Sequence, residues 1–236
     1  MTESYVSEQI TPVVKKCVFV IDDHPLLRQG LAMLINQQAD MRVCGEAEDM
    51  RVAMQCIVQL NPDIIVLDIS LKGPDGLEVL KTIRATKPDL PVLVLSMHDE
   101  ATYAERAIRA RANGYIMKQE ATEKVLVAIR RILDGEVYLS DAMSKKLLQQ
   151  FIDGTSAPME SRVAVLSDRE LEVFRLIGEG RATREIAQEL HLSVKTVETY
   201  QAHIKEKLGL KSGRELIQQA IQWKINGKAE VTRRTT

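Results

Sequence analysis

Asp68 closes the apolar run Ile64-Ile65-Val66-Leu67, where a carboxylate is costly unless it meets a cation or a donor. Three other apolar runs end in a comparable way. Val18-Phe19-Val20-Ile21 is followed by Asp22-Asp23, Pro91-Val92-Leu93-Val94-Leu95 by Ser96, and Gly114-Tyr115-Ile116-Met117 by Lys118. Each residue alone has a plainer use: a helix cap for Asp22-Asp23, a strand-end hydroxyl for Ser96, a solvated ammonium for Lys118. Their joint placement argues for more. Carboxylates brought together repel one another unless a cation intervenes. An all-oxygen set of this kind suits Mg²⁺, which keeps waters and takes phosphate oxygens. A carboxylate can also act as a nucleophile toward phosphorus. Lys118 would supply a point positive charge, and Ser96 a hydrogen-bond donor, to the phosphoryl oxygens.

The elements that must position these groups are legible in the same stretch. Residues 17–134 alternate short apolar runs near 17–21, 41–47, 64–68, 91–96 and 114–117 with helical patterns near 25–37, 50–59, 76–86, 100–111 and 121–134. Runs that are apolar throughout predict strands buried on both faces. Five β–α units predict a doubly wound, five-stranded parallel sheet with right-handed crossovers. Such sheets bind ligands beyond the carboxyl ends of their strands, which gathers Asp22, Asp23, Asp68, Ser96 and Lys118 in one crevice.

A chain of 236 residues has the length of one or two domains. No apolar run approaches the ~20 residues of a membrane span, and the polar start predicts a cytoplasmic protein with a loose tail over 1–16. Cys17, Cys44 and Cys56 lack metal-like spacing and read as core or near-core thiols. The net charge of −1 conceals an asymmetry: residues 167–236 carry 13 Lys and Arg against 10 Asp and Glu, while the remainder carries 19 against 23. A mildly basic end suits nucleic acid without establishing it.

The pieces Val20-Ile21-Asp22-Asp23-His24, Ile65-Val66-Leu67-Asp68-Ile69-Ser70, Asp75-Gly76, Leu95-Ser96 and Gly114-Tyr115-Ile116-Met117-Lys118 make residues 17–135 resemble the receiver domain of two-component response regulators. The resemblance implies a flavodoxin-like fold and a sensor histidine kinase as partner. It makes Asp68 the phosphoacceptor and Asp22, Asp23, Asp68 and the backbone carbonyl of Ser70 the Mg²⁺ ligands. Ser96 becomes the hydroxyl that follows the phosphoryl group, Tyr115 the aromatic that turns inward with it, and Lys118 the phosphate-binding cation. One departure stands out: many receivers have proline four residues after the phosphoacceptor, and here that position is Lys72. An aspartyl-phosphate hydrolase of the haloacid dehalogenase type would place a second acid two residues after Asp68, where this chain has Ser70. The expectation is therefore a regulator and not an enzyme, beyond slow phosphoryl transfer to and from itself.

A linker is expected over 136–165, with a helix near 141–152 and the turn-rich Asp153-Gly154-Thr155-Ser156-Ala157-Pro158. Helical patterns follow near 168–178, 183–190, 194–208 and 213–225, without a strand. Ser167 and Glu170 fit a capping box, and Ser193 is a good N-cap. On a 3.6-residue period Val194, Val197, Ile204 and Leu208 form an inward stripe, while Lys195, Thr199, Ala202 and His203 lie opposite. Gln201 falls on the inward stripe without an evident partner. Spacing alone also allows a four-helix protein-binding or dimerising module.

The segments Leu166-Ser167-Asp168-Arg169-Glu170-Leu171-Glu172-Val173, Glu185-Ile186-Ala187, Ser193-Val194-Lys195-Thr196-Val197-Glu198-Thr199-Tyr200 and Lys207-Leu208-Gly209 narrow that choice. They resemble the LuxR-type helix-turn-helix, here a small all-α four-helix domain over 166–227 with a polar tail over 228–236. With the receiver, the chain resembles the NarL/FixJ subfamily. The resemblance implies double-stranded DNA as partner, a recognition helix from Val194, and contacts from Thr183, Arg184, Lys195, Thr196, Thr199 and His203. It also implies a homodimer through the last helix, with Leu216, Ile217, Ala220 and Ile221 as contact residues. Glu198, Tyr200 and Ala202 depart from common members, so base preference does not transfer.

Overall fold

The computed structural model describes residues 14–69, 71, 76–97, 100–153, 163 and 165–232. Contacts divide the chain into two units, 1–143 and 144–236. In the first, β1 (Lys16–Ile21), β2 (Met41–Ala47), β3 (Ile64–Asp68), β4 (Val92–Ser96) and β5 (Gly114–Met117) form one parallel sheet in the order β2-β1-β3-β4-β5. Between them run α1 (Pro25–Asn36), α2 (Met50–Leu60), α3 (Gly76–Thr86) and α4 (Glu100–Arg109), and α5 (Ala121–Leu133) follows a 3-10 turn at Lys118–Glu120. Every residue of β3 and β4 is buried, which is why those runs carry no polar alternation. Strand order reverses at β1, and the crevice of a doubly wound sheet opens there, at the carboxyl edge.

Register fixes the edge. Ile21 pairs with Leu67, Asp68 with Leu95, and Ser96 with Met117, so Asp22, Asp68, Ser96 and Lys118 fall within about a residue of one line. One core holds the sheet to its helices: Val18, Val20, Ile64, Val66, Leu93, Leu95 and Ile116 pack with Leu31 and Ile35 of α1 and Val125, Ile129 and Ile132 of α5. Cys17, Cys44 and Cys56 are half-buried and free, and burial with Cys17 alongside pushes the Cys44 thiol up to about 11.

The helix expected near 141–152 is α6 (Asp141–Asp153), with the Ser140 hydroxyl accepting from the Met143 amide at 3.1 Å. Residues 136–140, expected as linker, do not leave the sheet at once: Tyr138 bridges Gly114 at the free edge of β5. The turn-rich stretch 154–162 lies outside the described residues, as do most of the N-terminal tail and the last four residues.

The second unit is helical: α7 (Asp168–Gly178), α8 (Thr183–Glu189), α9 (Val194–Leu208) and α10 (Gly213–Thr232). The Ser167–Glu170 capping box is complete, with the Glu170 amide donating to Ser167 Oγ at 3.3 Å and the Ser167 amide to Glu170 Oε2 at 2.7 Å. Leu171, Phe174, Ile177, Ile186, Val197, Ile204, Leu216 and Ala220 are among its buried apolar residues. A Cβ added at Gly178 would lie 2.6 Å from the Ala220 carbonyl oxygen, so α7 and α10 cross in close backbone contact. The Phe174 and Trp223 rings stack at a tilt, centroids 5.8 Å apart.

Three expectations need correction here. The last helix runs to Thr232, so much of the expected tail over 228–236 is helical; no proline or capping glycine stops it. Val194 was expected inward but is exposed, because a helical side chain leans toward its own N-terminus and that of the first residue covers the turn before the helix. Leu216 and Ala220 were expected at a dimer contact but are buried within the unit, Ala220 against Gly178. Among the described residues, no helix is long and apolar enough to cross a membrane.

Candidate functional site

At the carboxyl edge of the sheet the chain assembles a buried charge cluster. Asp22 and Asp68 are each 1% exposed, Asp23 8%, Ser96 0% and Lys118 9%. Lys118 Nζ donates to Asp68 Oδ2 at 2.7 Å and lies 2.9 Å from Asp22 Oδ2. The ammonium thus stands between the carboxylates that end β3 and β1, and compensates charge that burial would otherwise make untenable. The Asp22 contact has an ion pair's distance without a hydrogen bond's alignment, so Asp22 Oδ2 remains a buried acceptor with no hydrogen bond. Its charge is met by the Lys118 ammonium, and its open lone pair is a position a metal ion can take.

His24, which sequence reasoning did not single out, completes the rim. Its side chain is 56% exposed, and Nδ1 lies 2.8 Å from Asp23 Oδ1, 3.2 Å from Asp22 Oδ1 and 3.7 Å from Asp68 Oδ2. The four residues Asp22, Asp23, His24 and Asp68 offer ligand atoms within 4.8 Å of one another. Position places it there: His24 is the N-cap residue before Pro25, and its amide donates to Asp22 Oδ1 at 2.7 Å. Arg28, one turn into α1, donates from a guanidinium nitrogen to the Asp22 carbonyl at 2.5 Å and pairs with Glu46 at 3.1 Å.

Gly76 is a second residue whose importance the sequence did not disclose beyond its motif. A Cβ there would sit 2.2 Å from Ile69 Cα and 2.6 Å from the Asp68 carbonyl oxygen. The start of α3 therefore rests directly on the backbone that carries Asp68. Tyr115 is buried, its ring within the fold and its amide donating to the Tyr138 carbonyl at 2.9 Å. The Ser70 carbonyl and the loop with Lys72 lie outside the described residues.

In the second unit, α8 and α9 are joined by a turn in which His191 adopts a left-handed conformation, φ 53°, and the Leu192 amide returns to the Ala187 carbonyl at 2.8 Å. Ser193 caps α9 by accepting from the Thr196 amide at 3.0 Å. Lys195, Glu198, Thr199, Ala202, His203 and Glu206 make one exposed face. Thr199 donates to the Lys195 carbonyl at 3.0 Å, and Thr196 Oγ1 lies 2.7 Å from Ser193 Oγ. Arg184 is exposed at the start of α8 and Thr183 half-buried beside it. Gln201 acquires an account: its side-chain amide donates to Thr183 Oγ1 at 3.2 Å and ties α9 to the start of α8. Glu170 reaches the same helix from α7, accepting from Lys207 at 2.7 Å with His203 Nδ1 at 3.8 Å. Burial pushes the Glu170 carboxyl up, but Lys207 and the Ser167 amide and hydroxyl outweigh it and hold it below its ordinary value. Ile217 and Ile221 stay exposed on α10.

Comparison with known proteins follows the same division. Residues 18–130 match the response regulator receiver domain, and residues 164–220 match the luxR family of bacterial regulatory proteins. The oxygen regulatory protein NreC of Staphylococcus carnosus (strain TM300) is 36% identical over 212 residues, covering 88% of this chain and 98% of that protein. This chain belongs to the two-component response regulators of the NarL/FixJ type. NreC of Staphylococcus aureus (strain MRSA252) matches this response regulator with the same identity and coverage. Among solved structures, RcsB from Salmonella enterica serovar Typhimurium, bound to promoter rprA in the presence of the phosphomimetic BeF3-, aligns with TM-score 0.56 and 26% identity. The alignment covers 88% of this regulator and 98% of that chain. A LuxR-family response regulator from Aurantimonas sp. SI85-9A1 aligns with TM-score 0.54 and 29% identity over 59% of this chain and 99% of its own.

Proposed function

We propose that Asp68 accepts a phosphoryl group from a sensor histidine kinase and that the modified receiver governs DNA binding by α9. The observation that carries this is the buried triad at the sheet edge, with Lys118 Nζ 2.7 Å from Asp68 and 2.9 Å from Asp22. In the transfer, an Asp68 carboxylate oxygen attacks phosphorus and a P–O bond forms as the P–N bond to the kinase histidine breaks. The imidazole nitrogen keeps the bonding pair and takes a proton. Lys118 then turns its donors from Asp68 to the phosphoryl oxygens, and Ser96 donates to another. Tyr115, buried beside β4, follows the space that Ser96 vacates.

The three carboxylates fit Mg²⁺, one of them with a buried oxygen lacking a hydrogen bond, while the His24 imidazole beside them stands at the exposed rim. Asp22, Asp23, Asp68 and the Ser70 carbonyl would hold the ion. When bound, it offsets the negative charge shared by carboxylates and phosphoryl oxygens. The protein would work in the cytoplasm, where kinase and DNA are both within reach.

For DNA, the exposed face of α9 supplies Lys195, Thr199 and His203 toward a major groove, while Thr183, Arg184 and Thr196 meet phosphates from two helix starts. A homodimer would pair two such helices on adjacent half-sites, using Ile217 and Ile221 on the open side of α10. The relatives' DNA-bound structures support this reading.

Treatment with a small acyl phosphate and Mg²⁺ should phosphorylate the wild-type chain and not Asp68→Asn, as read by intact mass. A wild-type chain that stays unmodified, or an equal gain in the variant, would sink the phosphoacceptor assignment. Separately, log affinity for duplex DNA should fall steeply with log salt concentration; a flat response rejects phosphate-contacting binding.

A further inference from the structure

The segment that leaves α5 is bound to the receiver at two successive places. Tyr138 lies along the edge of β5, its amide donating to the Asn113 carbonyl at 2.9 Å and its carbonyl accepting from Tyr115 at 2.9 Å. Arg131 sits over the Tyr138 ring, 5.4 Å from its centroid. Two residues later, Ser140 meets Glu100, the first residue of α4. The Ser140 amide donates to Glu100 Oε1 at 3.1 Å and its hydroxyl to Oε2 at 2.5 Å. The same hydroxyl accepts from the Met143 amide and so caps α6. Both oxygens of one carboxylate are thus spent on the residue that starts the helix leading out of the receiver.

Glu100 is four residues beyond Ser96 in the chain. We propose that Glu100 and Ser140 form a latch that holds the first turn of α6 to α4 and that opens when Asp68 is phosphorylated. The proposal rests on the assignment of Ser96 as the hydroxyl that moves toward the phosphoryl group. Movement of Ser96 draws the start of α4 with it. A paired carboxylate contact is intolerant of such motion, because hydrogen bonds weaken steeply once distance and angle depart from their optimum. The Ser140–Met143 cap does not involve Glu100, so α6 keeps its own start while losing its attachment. Phosphate chemistry at the sheet edge is thereby converted into freedom of the connecting helix.

A plainer role for Glu100 is to complement the N-terminal dipole of α4. Glu100→Asp separates the two roles: it keeps a first-turn acid but is one methylene too short to span to Ser140. Hydrogen exchange of residues 138–153 in the full chain, read by mass spectrometry with and without acyl phosphate, tests the idea. In the wild type, phosphorylation should accelerate exchange at the Ser140 amide and the first turn of α6 by roughly tenfold or more, since both charged hydrogen bonds to Glu100 are lost. Glu100→Asp and Glu100→Ala should show that faster exchange before phosphate is added and change little afterwards. A chain shown to carry phosphate on Asp68 but with unaltered exchange over 138–153 would overturn the latch alone. So would Glu100 variants that exchange like the unphosphorylated wild type. Failure of Asp68 to take phosphate at all would instead overturn the receiver assignment, and the switched latch with it.

Discussion

Gly76→Ala should damage the receiver more than its size suggests. The added methyl would stand 2.2 Å from Ile69 Cα and 2.6 Å from the Asp68 carbonyl oxygen, where ordinary contact begins near 3.4 Å. Both obstacles are backbone, so no rotamer relieves them, and α3 or the end of β3 must retreat by about 1 Å. Overpacking of this kind costs about 3 kcal/mol or somewhat more, and the better helix propensity of alanine returns at most about 1 kcal/mol. The net loss is about 2 kcal/mol, which at a urea slope near 2 kcal/mol/M lowers the receiver midpoint by about 1 M. The chain carries its own control. Trp223, the single tryptophan, lies in the helical unit, whereas the buried Tyr103 and Tyr115 report on the receiver. Near-ultraviolet tyrosine signals should show the earlier transition while Trp223 fluorescence does not. Gly30→Ala is the matching comparison: nothing lies within 4 Å of its Cβ position, in mid-helix. That variant should be stabilised by about 0.5–1 kcal/mol. A Gly76→Ala receiver as stable as the wild type would refute the claim that α3 rests on the Asp68 backbone, and acyl phosphate labelling of the same variant would then proceed at the normal rate.

Glu170→Gln keeps a side chain able to close the capping box but loses the charge 2.7 Å from Lys207 at the start of α7, and should destabilise the helical unit at pH 7 by about 1 kcal/mol, followed by Trp223 fluorescence. Because the folded carboxyl titrates below its ordinary 4.5, its contribution is complete above that value and fades as pH falls through the folded pKa; the deficit of the variant should narrow as the solution is acidified below 4.5. Arg184→Ala, which removes the cation assigned to a phosphate, should lower affinity for non-specific duplex DNA and reduce the salt slope by about 1. Gln201→Leu should lower affinity by a few fold through Thr183 while leaving that slope unchanged, since it removes a neutral hydrogen bond; a changed slope would contradict its positioning role.

The sheet and its acidic edge were readable because burial leaves a compositional trace: strands covered on both faces must be apolar throughout, and a charge at their ends is then conspicuous. The capping box at Ser167 was equally plain, being local. What escaped depends on tertiary proximity. Nothing in the sequence aims Glu100 at Ser140 or Gln201 at Thr183, residues 40 and 18 positions apart. Leu216, Ile217, Ala220 and Ile221 look alike on a helical wheel, yet the close crossing at Gly178 buries Leu216 and Ala220 and leaves the two isoleucines outside. His24 was hidden by ordinariness, since a histidine beside two acids reads as a surface residue until its imidazole is found facing three carboxylates.

The strip around Tyr138 also bears on where this receiver can be cut. A parallel sheet whose outer strand is bare presents a row of amides and carbonyls to any passing extended chain. Here the far side of β5 is partly sealed by the chain's own continuation, from the Asn113 carbonyl to the Tyr115 amide. A receiver ending at Leu133 would lose that seal and offer β5 as a template for strand addition, whereas one ending beyond Ser140 would keep it. Solubility and self-association of the isolated domain are thus set by a few residues that composition alone would assign to a linker.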